Sequence, residues 1–223
     1  MKIYASGANY ASQIAEMEQS VMKQFSKLNI IFCGVGGQGI ISLAKMAQKL
    51  LLQDEYKIKC FDVMGLGQRG GSVSSHLRVS KDKIMSPLIP VGEVDYLVGL
   101  EQTETLRNLH YLSPKGYVIA CDYKLTSPSV NSGLEKDLSL KFKDIFEEKN
   151  IKEIILPMSY FKSEKLSHVN LNFSLLSILL SMLEYNLEDA RSVLKSMLPV
   201  NRVQENLFAF EKGITYLNNK NLL

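Results

Sequence analysis

Two clusters of glycine residues are the parts of this sequence whose residue types and spacing can support chemistry. The first cluster, GVGGQG, fits the pattern G-x-G-x-x-G through Gly34, Gly36 and Gly39. Glycine permits a tight turn and lets a ligand or a neighbouring backbone approach closely, and the N–H groups that begin a helix attract anions. The cluster therefore predicts either contact with an anion such as a phosphate or close packing against another strand or chain.

The second cluster, MGLGQRGGSV, spans residues 64–73 and contains an arginine between its glycines. Arg69 can present a planar cation to a carboxylate or a phosphate, and a surface ion pair is the alternative role. Asp62 stands 23 residues after Gly39, where a dinucleotide-binding fold carries an acid for the ribose. Asp62 can equally cap the strand end or organise the loop, so a nucleotide site and an interface both remain open.

The cysteines and histidines form no recognisable site in the sequence. The three cysteines lie far apart and make no C-x-x-C pair: Cys33, Cys60 and Cys121. This spacing argues against an iron–sulfur cluster, a zinc ribbon or a disulfide framework, and it predicts small buried side chains. Each histidine also stands alone: His76, His110 and His168. We therefore expect hydrogen-bonding or solvated histidines and predict no catalytic residue.

Strands and helices that alternate along the chain must position the two glycine clusters. The apolar run NIIFC predicts a buried strand at Asn29–Cys33, and Gly39–Leu52 has a helical period, so the first cluster joins a strand to a helix. Further strands are predicted at Lys57–Met64, Val73–Val79, Val94–Leu100, Gly116–Cys121 and Glu153–Leu156. Further helices are predicted at Thr103–Tyr111, Asn170–Tyr185, Leu187–Leu198 and Val203–Leu217. This alternation predicts an α/β fold with a Rossmann-like, doubly wound, mostly parallel sheet, helices on both faces and a helical C-terminal part.

Length and composition predict one substantial globular core. The 223 residues are 46% hydrophobic and 22% charged, which is ordinary globular usage. A net charge of +3 without a Lys/Arg stripe argues against a nucleic-acid partner. The most apolar stretch, Leu171–Leu183, is far shorter than the ~20 residues that span a bilayer, so it predicts a buried helix and no membrane partner. The first residues lack the apolar core of a secretory signal, which predicts a cytoplasmic location.

Three segments divide the chain. Residues 1–27 form a predicted N-terminal helical extension, because apolar side chains recur at helical spacing over residues 10–26. Residues 28–217 form the main domain, and residues 218–223 are a tail. The extension can dock on a partner, mediate self-association or cover an edge of the domain.

Four segments, in this order, resemble the gamma domain of pyruvate and other 2-oxoacid:ferredoxin oxidoreductases. They are GVGGQGI, GLGQRGGSVSSHLR, SPLIPVGEVDYLVGLE and ENLFAFEKG. The resemblance covers about residues 28–213. The Gln-Arg-Gly-Gly-Ser form of the second cluster is most similar to the indolepyruvate branch of the family, in which the matching chain is the beta subunit.

The resemblance implies a subunit that needs a partner. Enzymes of that family oxidatively decarboxylate a 2-oxoacid on thiamine diphosphate, pass electrons through iron–sulfur clusters to ferredoxin, and release an acyl-coenzyme A and CO2. This chain lacks the Gly-Asp-Gly…Asn-Asn signature and the cysteines that would hold clusters. We therefore expect no cofactor on this chain alone, a larger partner subunit that holds thiamine diphosphate and the iron–sulfur clusters, and use of coenzyme A by the assembled complex, with indolepyruvate or another aryl pyruvate as substrate.

The resemblance also implies which residues face the partner's active site or an anion. They are Gly34, Gly36, Gly37, Gln38, Gly39, Gln68, Arg69, Gly70, Gly71 and Ser72. Two other functions stay open. One is a Rossmann-like nucleotide-binding regulatory module that uses residues 34–39 and Asp62. The other is a free-standing NAD-dependent dehydrogenase, for which the sequence offers no acid–base pair.

Overall fold

A computed structural model describes residues 25–65, 71–125, 137, 142–161 and 170–220. Most of the predicted N-terminal helix, together with Gln68, Arg69, Gly70 and His168, lies outside the described residues. The described strands are β1 (Lys27–Val35), β2 (Lys57–Met64), β3 (Ser72–Ser80), β4 (Val94–Gly99), β5 (Leu112–Cys121) and β6 (Lys152–Leu156). The described helices are α1 (Ile40–Leu51), α2 (Gln102–Asn108), α3 (Phe142–Glu148), α4 (Leu171–Met182), α5 (Leu187–Met197) and α6 (Val200–Asn219).

The six described strands form one sheet in the order β2-β3-β1-β4-β5-β6. Strands β1, β4, β5 and β6 pair in parallel, whereas β3 runs antiparallel to both of its neighbours, β1 and β2. Five strands therefore point the same way, and the predicted mostly parallel sheet is confirmed. The sequence did not indicate that the β2–β3 hairpin would place β3, rather than β2, next to β1.

The alternation of side chains along β1 divides the interior into two cores. Ile30 and Phe32 pack into the core that contains α1, α4 and α6, whereas Ile31 and Cys33 pack into the core that contains α3. All four side chains are fully buried. Successive side chains of a strand point to opposite faces, so a central strand that is apolar throughout requires cover on both faces. The predicted helices on both faces are confirmed.

Helix α4 is the buried helix that the apolar stretch predicted. Eleven of its twelve residues are buried, and it packs between the sheet and α6. No helix in the described part of the chain combines the length and the apolar content that crossing a membrane requires. Helix α6 begins three residues earlier than predicted, because Arg202 already donates its N–H to the carbonyl of Pro199 at 2.8 Å.

Candidate functional site

The described ends of both glycine clusters lie where the parallel strands end. Gly36, which follows β1, donates its N–H to the carbonyl of Gly71 at 2.8 Å. Gly65 donates its N–H to the carbonyl of Ser72 at 2.8 Å and closes the base of the second loop. In open α/β sheets, ligands bind outside the carboxyl ends of the strands. The structure thus brings the two loops together at the edge of the sheet where a ligand site is expected.

The first loop delivers the uncapped beginning of a helix to this edge. Gly39 is the N-cap of α1 and has φ of 82°, a left-handed conformation that favours glycine. No side chain caps the helix, and its first turn contains no acidic residue. The first N–H groups of a helix have no partner inside the helix and carry partial positive charge, so α1 offers an anion a favourable position.

Gln38 holds the first loop together from the inside. Its side chain is 5% exposed, its Oε1 accepts the N–H of Val35 at 2.7 Å, and its Nε2 donates to the carbonyl of Leu100 at 3.3 Å. A Cβ on Gly34 would lie 2.6 Å from Gln38 Oε1, which explains why that position is glycine. Of the residues selected from the sequence, Gln38 is therefore a structural element of the loop, since both of its polar ends are bonded within the protein.

A pair of buried glutamates supports the base of the second loop, and the sequence analysis did not identify them. Glu104 is 3% exposed, and its Oε2 accepts a hydrogen bond from Ser72 Oγ at 2.5 Å while its Oε1 contacts Arg107 Nη1 at 2.7 Å. Glu101 caps α2 by accepting the N–H of Glu104 at 2.9 Å. Burial raises the pKa of the Glu101 carboxyl, and the N–H groups of Glu104 and Leu125 oppose that shift.

Asp62 does not lie beside the first loop. It belongs to β2, and β3 separates β2 from β1, which places it about 9–10 Å from β1 at the usual spacing of strands. Its Oδ1 accepts a hydrogen bond from the hydroxyl of Ser75 on β3. A ribose-binding acid must end the strand next to the glycine loop. Of the two roles predicted for Asp62, the geometry favours organisation of the hairpin.

Two cavities meet at the first turn of α1, and both are lined by Gly39 and Ser42. One has a volume of about 560 Å3 and lies between the two glycine loops, with Gly36 and Gly65 among its walls. The other, of about 770 Å3, lies between α1, α4 and the beginning of α6. Both volumes fall in the range of small-molecule sites. The two cavities therefore adjoin at the N-terminal end of α1.

Two cationic side chains line the larger cavity, and one of them, Arg202, also pairs with Glu205 at 3.3 Å. The lining includes Lys45 and Arg202 and no carboxylate. Asn172 is 3% exposed, its Oδ1 accepts the N–H of Phe173 at 3.0 Å, and its Nδ2 lies 3.0 Å from the position of a Cβ on Gly39. The cavity is thus suited to an anion.

The sequence contained part of the signal for this cavity. Gly39, Ser42 and Lys45 are spaced three residues apart, so they follow one face of α1, opposite its apolar face. Asn172 and Arg202 could not be connected with that face from sequence, because they belong to α4 and α6. A hydrogen bond from Asn170 Nδ2 to Asn206 Oδ1 at 2.7 Å, in the lining of the cavity, joins the start of α4 to α6.

The cysteines do not form a cluster site in the described part of the chain. Cys33 and Cys121 are buried in different cores, and burial raises the pKa of both thiols, that of Cys121 to about 12. Cys60 is partly buried on β2. Among the described residues, no group of three or more His, Cys, Asp or Glu side chains could hold a metal ion. The described cysteines therefore do not fit the ligand set of an iron–sulfur cluster.

Two of the histidines have ordinary structural partners. His76 is 2% exposed, and its Nδ1 accepts the N–H of Ile89 at 3.3 Å. Burial lowers the pKa of His76. His110 is near the surface, with its Nδ1 2.9 Å from the carbonyl of Arg107. Neither histidine lies with the glycine loops.

Comparison with known proteins places these features in a family context. Residues 29–216 match the family described as pyruvate ferredoxin/flavodoxin oxidoreductase. The chain is 30% identical over 197 residues to the indolepyruvate oxidoreductase subunit IorB of Pyrococcus horikoshii, which covers 86% of this chain and 96% of that protein. It is also 30% identical over 201 residues to the IorB subunit of Thermococcus kodakarensis, with the same coverage of 86% and 96%.

Solved structures share the fold at lower identity. The gamma subunit of a keto/oxoacid ferredoxin oxidoreductase from Geobacter sulfurreducens superimposes with a TM-score of 0.60 at 17% identity, over 86% of this chain and 97% of that chain. A 2-oxoglutarate:ferredoxin oxidoreductase from Magnetococcus marinus, solved with 2-oxoglutarate, coenzyme A and succinyl-CoA bound, gives a TM-score of 0.65 at 19% identity. That match covers 88% of this chain and 32% of the other, so this chain spans about a third of the longer protein.

Proposed function

Because the chain belongs to the pyruvate ferredoxin/flavodoxin oxidoreductase family, as its four sequence motifs predicted, we propose that it is a subunit of a 2-oxoacid:ferredoxin oxidoreductase that contributes the binding groove for coenzyme A. A larger partner subunit holds thiamine diphosphate and the iron–sulfur clusters, and it delivers electrons to ferredoxin. The substrate is an aryl 2-oxoacid such as indolepyruvate, a choice supported by the names of the relatives at 30% identity.

The observation that carries the assignment of coenzyme A is the set of donors around the start of α1. A helix N-terminus without a cap, together with Lys45, Arg202 and the amide of Asn172 in the cavity lining, favours a ligand with phosphate groups. Met46 and Leu198 line the same cavity and provide apolar contact area for a long, partly apolar ligand. The adjoining cavity between the glycine loops leads from this anion site to the face that we assign to the partner's active site.

In this proposal the chain binds and orients, and the chemistry of decarboxylation belongs to the groups held by the partner. The N–H groups of α1 and Lys45 hold the phosphates, and the loop residues Gly36 and Gly71 form the narrow floor next to the partner. Arg69 lies outside the described residues, and its contribution to coenzyme A use stays a prediction, as does the cytoplasmic location.

The decisive experiment uses the complex purified from the native cell. We expect this chain to copurify with a larger thiamine-diphosphate and iron–sulfur subunit and to be inactive alone. In that complex, Lys45→Met should raise the KM for coenzyme A about 10- to 100-fold, the range of a lost charge-assisted hydrogen bond of ~1.5–3 kcal/mol. Lys49→Met, in the last turn of the same helix, is the matched control and should leave the KM unchanged. Equal effects of the two variants would contradict a site at Lys45.

A nucleotide-binding regulatory module is the alternative that the glycine pattern still allows, since the same groove would accept the phosphates of a nucleotide. The position of Asp62, one strand away from β1, argues against this alternative, because no described acidic residue stands beside the first loop where it could bind a ribose. Calorimetry with NAD, FAD and ATP on the isolated chain tests the alternative. Tight binding of any of the three, together with no effect of Lys45→Met on coenzyme A use, would favour the module over the proposed subunit.

A further inference from the structure

Glu104 is a buried acid whose hydrogen bonds lead away from its own helix. It is the third residue of α2, a position from which a glutamate commonly reaches back to the N-cap backbone. Instead, its Oε2 accepts the hydroxyl of Ser72 at 2.5 Å and its Oε1 contacts Arg107 at 2.7 Å. A carboxylate that is only 3% exposed must be paired and hydrogen-bonded to be tolerated. Ser72 therefore belongs to the set of contacts that stabilises this charge.

Ser72 is the point where the second glycine loop rejoins the sheet. Its carbonyl accepts the N–H of Gly65 and closes the loop, and the neighbouring Gly71 carbonyl accepts the N–H of Gly36 in the first loop. The hydroxyl of Ser72 adds a third bond, to a helix on the far side of β1. A displacement of Ser72 would consequently shift Gly65 and Gly71 relative to Gly36 and change the shape of the cavity of about 560 Å3 that Gly36 and Gly65 line.

We infer that Glu104 is a positioning residue for the acyl acceptor, which acts through Ser72 to fix Gly71, the described end of the second glycine loop, against Gly36 of the first loop. The inference rests on the proposed function, in which the groove takes coenzyme A. Glu104 touches neither the ligand nor the reacting atoms, and its effect reaches them through Ser72 and Gly71. Arg107 compensates the charge of Glu104, so the carboxylate can serve as a fixed acceptor at the base of the loop.

The test is made on the assembled complex with Ser72→Ala, which removes one hydroxyl from an exposed residue. We expect the KM for coenzyme A to rise about 10-fold, equivalent to about 1.4 kcal/mol, with kcat, the KM for the oxoacid and the yield of complex unchanged. Ser72→Thr keeps a hydroxyl and should restore the KM for coenzyme A. Ser80→Ala, at the other end of β3, removes a hydroxyl that bonds the backbone at 3.2 Å and serves as the control.

Glu104→Gln provides a second route to the same conclusion. If Glu104 acts through Ser72, the double variant Ser72→Ala, Glu104→Gln should have the same KM for coenzyme A as the more affected single variant, because Ser72→Ala removes and Glu104→Gln weakens the same Ser72–Glu104 hydrogen bond. Additive effects would overturn the inference. So would an unchanged KM in Ser72→Ala, or an equal rise in Ser80→Ala. If Lys45→Met raises the KM and Ser72→Ala does not, the positioning role fails while the proposed function stands. If neither variant changes it, the proposed function itself fails.

Discussion

Removal of the Gln38 side chain should destabilise the fold as a whole, because this side chain is part of the interior and not of a ligand site. In Gln38→Ala the N–H of Val35 loses the acceptor that lies 2.7 Å away. A buried N–H without a partner costs ~1–3 kcal/mol. The carbonyl of Leu100 still accepts a hydrogen bond from the thiol of Cys121 at 3.0 Å. The loss of the second donor, Gln38 Nε2, therefore adds little to the loss of stability. The missing methylene adds ~0.8 kcal/mol.

The sum is a loss of about 2–4 kcal/mol in the free energy of unfolding, from a total of ~5–15 kcal/mol for a typical domain. With an m-value of ~2 kcal/mol/M, the urea midpoint of the isolated chain should fall by ~1–2 M. Gln48→Ala, on the half-exposed face of α1, is the matched control and should change stability by less than ~0.5 kcal/mol. Unfolding followed by circular dichroism measures all three proteins.

The result that would refute this reasoning is a Gln38→Ala protein with the wild-type midpoint and a raised KM for coenzyme A in the complex. That combination would mean that the glutamine turns outward and contacts the ligand. Gln38→Glu sharpens the test. It keeps an acceptor for Val35 but loses the donor to Leu100 and places a carboxylate near a carbonyl, so its midpoint should also fall.

Three further predictions concern packing, pH and thiol reactivity. Gly213→Ala should lower the melting temperature, because its Cβ would lie 2.2 Å from the backbone carbonyl oxygen of Ser174 on α4. On an open helix face the same change from glycine to alanine would raise the stability. A higher melting temperature of Gly213→Ala would therefore contradict the close packing of α6 against α4. Burial lowers the pKa of His76, so below pH ~6.5 the unfolded chain binds a proton that the folded chain does not, and stability should fall as pH falls. His76→Gln should flatten this dependence between pH 7.5 and 5 in urea unfolding, whereas the control His110→Gln should not. In the native chain, iodoacetamide should modify Cys60 before the two buried cysteines, Cys33 and Cys121. Peptide mass spectrometry measures the order of modification. Earlier modification of a buried cysteine would show that the core around that cysteine opens.

Local periodicity predicted every described strand and five of the six described helices, because each of these elements carries its own pattern, but α3 at Phe142–Glu148 was not predicted. Strand β2 has the same bounds in the structure as in the prediction, Lys57–Met64, since charged and apolar residues alternate over its first half and glycine follows its last residue. The predicted family is confirmed by the match over residues 29–216. Strand order could not be predicted in the same way. A hairpin can pair with β1 through either of its strands, and the alternation of side chains is the same in both arrangements.

Prediction of the candidate site failed where the site depends on contacts between distant segments. Ser72 was selected from the sequence, but its partner Glu104 was not, because a glutamate near a helix start has a sufficient local explanation as a dipole or capping residue. Asn172 was not identified from the sequence for a different reason. Nearly every residue of α4 is buried, so the apolar pattern gives no face to which one polar residue can be assigned.

The antiparallel β3 explains why a dinucleotide-like pattern can serve another ligand. G-x-G-x-x-G requires only a strand, a tight turn and a helix with free N–H groups, and β1, Gly39 and α1 provide these. The identity of the ligand depends on the strand that lies beside the turn. If β2 paired with β1, Asp62 would stand there and could accept a ribose hydroxyl. Because β3 pairs there instead, the first loop lies against Gly71, so the free N–H groups of α1 are kept and backbone stands where the ribose acceptor would be.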